Sequence, residues 1–553
     1  MKKLLLAIIV IAAGASMAVG AADRSNKTRV ARDLSVFNAL VKELQLNYVD
    51  TINSEKLMRT AIDAMLYQID PYTEYFPVED REELTSISSG QYGGIGAYIQ
   101  HRNGTTIVSE PVYGAPAALA GVRHGDVILE VDGEDVTSFK EPDMVSKRLR
   151  GQPGTTVNVK VRRPYVEDSI LRFDIMRKTI SVNPLPYYGI DSTGVGYIRL
   201  TTFNEKSAGE VRDAVAEMKR DPALKGIVLD LRGNGGGLLE SAVQIVGLFV
   251  PKGTEVVRTR GFEDKHLKIY KTTKQPLDLN IPLAVMTDGN TASASEIVAG
   301  ALQDLDRAVV VGSRSYGKGL VQVARPLPYD GLLKVTVARY YIPSGRLIQA
   351  IDYSHRNPDG TPARIPDSLT KVWKTVHGRE VRDGGGITPD VAVSDTSMNR
   401  LIYNVLADNW AFDFVNRFRA RNPEIADADT WVVDDSVFED FKAFIDPDKF
   451  KYDRVSESGI DYLRKAAISE GYMNDSVAAQ LDILAGLLHH DLGHDLDFNR
   501  KQLIPILDEE ISQRYYTDGE RVKRALRYDM EADTARAVIL DQARYKELLK
   551  PRK

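Results

Sequence analysis

Residues 226–249 read GIVLDLRGNGGGLLESAVQIVGLF. Gly226 to Leu231 is an apolar run broken only by Asp230, the pattern of a strand covered on both faces. It empties into Arg232-Gly233-Asn234-Gly235-Gly236-Gly237, and apolar residues at helical spacing resume near Leu238. Upstream, VGYIRL from Val195 is a second strand, and Lys206 to Arg220 keeps a helical period. Strands and helices therefore alternate between Tyr187 and Val250, which makes the core α/β. The glycines tolerate positive φ and let bare amides approach a ligand, as an oxyanion donor requires; a tight strand-to-helix turn accounts for them equally well.

Downstream lie two residues with complementary chemistry. Ser293 stands in TASASE and Lys318 in YGKGLVQ, each at the mouth of a different element. A serine hydroxyl is a poor nucleophile until a base takes its proton, and lysine serves only when neutral. Full burial can lower a lysine pKa by about 3 to 5, enough to free the amine near neutral pH; arginine would not respond this way. Ser293-Ala294-Ser295-Glu296 is also a helix capping box, and the two roles are compatible, because a helix N-terminus exposes the hydroxyl and leaves the Ala294 amide free for an oxyanion. Ser295 falls one residue into the helix. Gly312 to Lys318 imitates a phosphate-binding loop, but Gly319 stands where a magnesium-binding hydroxyl is needed, and the following LVQV is short and β-branched rather than helical.

The pieces occur in a telling order: GQYGGIG at Gly90, LDLRGNGGGLL at Leu229, TASASEIVAGALQD at Thr291, GKGLVQ at Gly317, VARYYIPSGRLIQ at Val337 and GITPD at Gly386. This series resembles the carboxyl-terminal processing peptidases from about Asp70 to Val393. The resemblance implies a crotonase-like α/β protease core with Ser293 as nucleophile, Lys318 as general base and Gln322 orienting the lysine. On pattern alone, Gln322 between Val321 and Val323 would simply face solvent on a strand. Oxyanion amides would come from Ala294 and from Gly236 or Gly237, because the triple glycine replaces the family's commoner Asn-Pro-Gly-Gly and leaves the register open. Thr291 stands where serine is frequent.

Residues 88–178 form a β-rich module of apolar strands broken by Gly and Asp turns. It resembles a PDZ domain, with Ala115 to Val127 matching that family's helix and turn, and Tyr92-Gly93-Gly94-Ile95-Gly96 matching its carboxylate-binding loop. Such a loop gathers backbone amides around a terminal carboxylate while a strand edge pairs with the peptide. The incomplete GxGxxG, with no helix after it, disfavours a dinucleotide loop. Arg123 is either a carboxylate contact or a solvated loop residue.

The chain has 553 residues, 43% hydrophobic and 27% charged, enough for several domains. A net charge of −5 offers no basic surface for nucleic acid. Cysteine is absent, which excludes disulfides, thiolate metal sites and a cysteine nucleophile. Lys2 and Lys3, the apolar run Leu4 to Ala13, and small residues at Ala18, Gly20, Ala21 and Ala22 have the build of an export signal over residues 1–22. The expected location is periplasmic, with membrane association through an uncleaved N-terminus as the variant reading. Residues 30–87 show helical apolar spacing at Phe37, Leu40, Leu44, Leu57, Ile62, Met65 and Leu66, which suits a packed cap or a dimerisation arm. The core spans 179–397, and its insertion Tyr353 to Gly384 reads as a surface loop anchored by Trp373. Beyond Met398 the chain is helix-rich and charged to residue 553. His490 and His494 there are four apart, but the Glu of a zinc protease is missing and Gly493 interrupts, so a solvated helix terminus is expected and no metal or other cofactor.

The combined expectation is a Ser-Lys serine endopeptidase that binds and cleaves proteins at or near unstructured C-terminal tails. Its partners would be protein substrates with exposed C-termini and no nucleic acid; a homodimer and an adaptor protein are further allowed partners. The rival readings are a catalytically inactive PDZ scaffold that binds C-termini, which the intact Ser293, Lys318 and Gln322 oppose, and a crotonase-like core holding an acyl ligand.

Overall fold

The computed structural model describes residues 28–551 except 82, 83, 85, 87, 88, 167, 168, 266, 394–397 and 453. The export signal expected over residues 1–22 lies outside the described residues. Two compact units are present. The smaller holds the described residues up to Phe76 together with Ala324–Val335, and the larger holds Pro77–Val323 and everything from Thr336.

In the smaller unit a helix over 28–47 precedes helix Ser54–Tyr67, whose N-cap Asn53 accepts from the Lys56 amide. Strand Glu74–Phe76 then pairs antiparallel with Leu332–Lys334. The apolar faces of these helices are open: Leu34 is 58% exposed, Leu40 51% and Met65 60%.

The centre of the larger unit is a six-stranded sheet in the order Tyr187–Ile190, Val195–Arg199, Gly226–Asp230, Leu283–Thr287, Val309–Gly312, Val391–Ala392. Its first pair is antiparallel and the rest are parallel. Alternate residues point to opposite faces. Ile227, Leu229, Leu283, Val285 and Val310 join a core with helices Ser207–Met218, Leu239–Val246 and Ala294–Asp304. Val228, Ala284, Met286, Val309 and Val311 face the other way, onto Ala532, Ala535, Val538, Ile539 and Tyr545. Those last residues belong to helices Met530–Leu540 and Gln542–Leu548, so the end of the chain covers the second face of the central sheet. Two covered faces are why these strands read as continuous apolar runs.

The β-rich module forms an antiparallel sheet in the order Ala97–Arg102, Thr105–Pro111, Val127–Val131, Thr156–Arg163, Ser169–Met176, with Glu134–Asp135 pairing off Val127–Val131. Helices Pro116–Ala120 and Pro142–Leu149 close its core around Val145, Val157 and Val161. Strand Ala97–Arg102 is an edge. The helices of 400–515 build their own core around Phe414, Phe438, Phe441 and Leu507. They grip the β-rich module through Arg102, whose guanidinium donates to Asp413 at 2.7 and 2.5 Å, and through Phe412 packed on Ile107 and Val127. Arg521 adds a 2.6 Å bond to Glu110. The insertion expected as a loop is instead two hairpins, Ile351–Arg356 with Pro362–Arg364 and Val372–Lys374 with Glu380–Arg382. Trp373 anchors the second by donating to Asp383 at 2.9 Å. No described helix is long and apolar enough to cross a membrane.

Candidate active site

Ser293 caps helix Ala294–Asp304 just beyond the carboxyl end of strand Leu283–Thr287. Its neighbours Ala292 and Ala294 are buried, while Ser293 itself is half-buried and reachable. Its backbone sits at φ 57° and ψ −115°, not at the extended values usual for a cap. A non-glycine residue in such a region stores about 1–3 kcal/mol and stays there only when its surroundings hold it.

The holding group is Glu296, which is fully buried. Its Oε2 accepts from the Ser293 amide at 2.9 Å and from the Lys318 amide at 2.8 Å. Its Oε1 accepts from Ser315 Oγ at 2.5 Å and from the Gly317 amide at 2.7 Å. One carboxylate thus fixes the main chain of both residues expected to react. Burial pushes the Glu296 carboxyl above the usual glutamate range, while the four donors favour its anion. From the other side the Tyr340 hydroxyl reaches the carbonyl oxygens of Ser293 at 3.1 Å and Lys318 at 2.7 Å, sharing one hydrogen between them. Lys318 follows Gly317 into strand Leu320–Pro326. Gln322 is on that strand and its Nε2 donates to Thr336 Oγ1 at 3.1 Å, which leaves its Oε1 as the group able to accept from an amine.

The glycine loop closes over Ser293. A Cβ on Gly236 would lie 2.8 Å from Ser293 Cβ and 2.9 Å from the Ala294 nitrogen, so only a glycine permits this approach. Gly236 and Gly237 have φ of 102° and 141°. The Gly236 amide already donates to Asn234 Oδ1 at 2.9 Å, whereas among the described residues no such bond engages the Gly237 amide. Asn234 is the hinge of this arrangement. Its side chain donates to the Leu200 carbonyl, and its own carbonyl accepts from the Ala292 amide and from Ser295 Oγ. Ser295 is thereby a buried strut. Thr291 donates to the Leu231 carbonyl at 3.0 Å, a bond a serine would also make.

Sequence reasoning missed Asn234, Ser315 and Tyr340 and took Glu296 only as a cap. Its signal was there: an acid followed by six apolar helix positions, Ile297 to Leu302, points to a buried helix, and a buried carboxylate needs several donors.

In the β-rich module, Tyr92, Gly93 and Gly94 run in strand Gln91–Gly94, paired with Lys178–Ser181. Ile95 is buried in the module's core, its carbonyl accepting from Ala117, and Gly96 turns at φ 70° into the edge strand Ala97–Arg102. Helix Pro142–Leu149 flanks that edge strand. Arg123 lines a cavity of about 760 Å³ between this module and the C-terminal helices, away from Ser293. His490 bonds Ser456 Oγ at 2.8 Å and Asp495 at 2.5 Å, while His494 meets Asp491 only through its backbone amide. Among the described residues no cluster of three or more His, Asp or Glu side chains is disposed to hold a metal.

Three known families match stretches of the chain. Residues 194–356 match Peptidase family S41, 107–163 a PDZ domain, and 401–539 the C-terminal helical domain of probable PDZ-proteases. A carboxy-terminal-processing protease of Bartonella bacilliformis is 35% identical over 330 residues, 59% of this chain and 75% of the relative. A probable CtpA-like serine protease of Staphylococcus aureus is 36% identical over 326 residues, 58% of this chain and 64% of the relative. Among solved structures, a photosystem II D1 C-terminal processing protease is 26% identical, with 65% of this chain and 92% of that chain covered and a TM-score of 0.36. An S41 core carrying a PDZ domain, with a curated relative matched over three quarters of its length, means that the chain belongs to the carboxy-terminal-processing proteases of peptidase family S41 and is a serine-type endopeptidase.

Proposed function

We propose that this endopeptidase works through a Ser293–Lys318 dyad and acts on proteins at or near unstructured C-terminal tails. The observation that carries the reading is the shared grip on the two residues: Glu296 Oε2 accepts from both amides, and the Tyr340 hydroxyl meets both carbonyls. Two peptide units tied to the same pair of atoms keep their side chains in one small volume.

In the proposed reaction Ser293 Oγ attacks the peptide carbonyl as neutral Lys318 takes its proton. Gln322 Oε1 accepts from the amine and orients it. The amides of Ala294 and Gly237 donate to the oxyanion, aided by the N-terminal end of helix Ala294–Asp304. Lys318 returns the proton to the leaving amine, and water then hydrolyses the acyl-enzyme by the same path reversed. Gly237 is proposed over Gly236 because the Gly236 amide already donates to Asn234 Oδ1. The core is proposed to be crotonase-like.

Substrate tails are proposed to add along the open edge of Ala97–Arg102, between it and helix Pro142–Leu149, with the turn at Ile95 and Gly96 receiving the terminal carboxylate. The exposed apolar faces of the helices over 28–47 and 54–67 are the surface a second copy would cover, so a homodimer is proposed. The N-terminal Lys2-Lys3 and apolar run support export to the periplasm. The test uses an unfolded protein with a free apolar C-terminus, the same protein with an acidic tail appended, and Ser293→Ala. Preferential cleavage of the apolar-tailed form, lost in Ser293→Ala, is expected. Equal cleavage of both tails would refute tail recognition, and an active Ser293→Ala would refute the dyad.

A further inference from the structure

The C-terminal extension reaches the catalytic loop itself. Arg232 opens the segment that continues through Gly233, Asn234 and Gly236 to the face of Ser293. Its guanidinium is held from both sides. Asp230, on the strand before it and fully buried, accepts from Nε at 3.0 Å and Nη2 at 2.8 Å. Asp529 accepts from Nη1 at 3.1 Å and Nη2 at 2.5 Å, and Glu531 from Nη1 at 2.6 Å. Asp529 is simultaneously the N-cap of helix Met530–Leu540, taking the Ala532 amide at 2.9 Å. That helix is packed on the central sheet through Ala532, Ala535, Val538 and Ile539, all buried.

Three carboxylates around one guanidinium exceed what its charge requires. Asp230 is already paired with Arg199 at 2.6 Å and bonded by Tyr197. Asp230 therefore does not depend on Arg232 alone for its neutralisation, which leaves part of the Arg232 charge to Asp529 and Glu531. What the two distal acids add is direction: a planar fork gripped on two edges cannot swing, and its main chain cannot shift the loop that follows.

We propose that Asp529 and Glu531 are positioning residues for proteolysis, holding Arg232 so that the glycine loop keeps its approach to Ser293. This rests on the reading of Ser293 and the loop as nucleophile and oxyanion site. The end of the C-terminal helical domain is then part of the catalytic scaffold, and its acids act on the reaction without touching substrate.

The test compares full-length wild type, Asp529→Asn, Glu531→Gln and the double variant, with Ser293→Ala as the reference for the site. Each is measured for Tm, for kcat and KM on a peptide substrate, and for affinity toward a peptide boronate, whose tetrahedral adduct on serine places an oxygen in the oxyanion site. The expected result is kcat lowered about tenfold in each single variant, since small misplacements at a reacting centre have effects of this order. KM stays within about twofold, and boronate affinity falls in parallel with kcat/KM. Should Asp529→Asn fold poorly for want of its cap, Glu531→Gln, which caps nothing, carries the test. A lower Tm with unchanged kcat, or a kcat loss without loss of boronate affinity, overturns the proposal. Full cleavage by Ser293→Ala overturns instead the reading of the site on which it rests.

Discussion

Replacing Glu296 by Gln keeps the shape of the side chain and removes one of its two acceptor oxygens. The native carboxylate serves four donors, two per oxygen. The glutamine oxygen can serve only one pair. If it keeps Ser293 and Lys318, the new amide group faces Ser315 Oγ, which can turn to accept, and the Gly317 amide, which cannot. One buried donor is then orphaned, at about 1–3 kcal/mol. The bonds that remain lose the help of the charge, roughly half their strength. A total near 3 kcal/mol is expected to lower Tm by about 6–12 °C for a domain of this size. The opposite orientation orphans the Ser293 and Lys318 amides and is worse. Either way the restraint on the Ser293 and Lys318 main chain is weakened, and kcat should fall about 100-fold with KM little changed. The assay is steady-state peptide cleavage beside thermal unfolding of the same preparations. A folded Glu296→Gln enzyme with kcat within about threefold of wild type would refute the idea that this carboxylate aligns the dyad.

Gly237→Ala should inactivate the enzyme, because the added Cβ would lie 2.1 Å from the Phe203 carbonyl oxygen at a φ of 141°; an alanine variant with normal kcat would refute the loop's placement. His124 gives a pH test: burial, then the guanidiniums of Arg514, Arg521 and Arg419, press its pKa down to about 2. The native state then binds fewer protons than the unfolded chain below the ordinary histidine value of about 6.5, so stability present above that pH is lost as pH falls. Between pH 7.5 and 5.5 the wild type should lose about 1.4 kcal/mol more than His124→Gln, and parallel unfolding curves at the two pH values would refute it. Arg102→Ala should speed hydrogen exchange in Ala97–Arg102 and in helix Trp410–Arg421 together, since the Asp413 pair spans them; unchanged exchange in both would count against the grip.

The α/β class and the positions of Ser293 and Lys318 were legible because each depends on local sequence: a buried apolar strand, a glycine loop, a helix start. Glu296 was legible only as a cap, because its donors come from Ser315, Gly317 and Lys318, residues brought near by a crossover whose path the helical period does not encode. The triple glycine leaves the oxyanion register open in the sequence, and the proposed choice of Gly237 rests on a bond no local pattern encodes, from the Gly236 amide to Asn234 Oδ1. Least legible was the cover on the second face of the central sheet. Val228 and Met286 announce that something must bury them, but Ala535 and Val538 lie far downstream in an amphipathic helix that would suit many partners. The part of the insertion around Trp373 read as a loop because the strands of its hairpin, Val372–Lys374 and Glu380–Arg382, are only three residues long, too short to display alternation.

The dyad is tested most directly by the rates of wild type, Ser293→Ala and Lys318→Ala on one unfolded protein substrate, each variant checked for wild-type folding. Loss of detectable turnover in Ser293→Ala and a fall of at least about 100-fold in Lys318→Ala, the scale expected for removal of a general base, is the predicted result. Cleavage by either folded variant at a rate near wild type would contradict it.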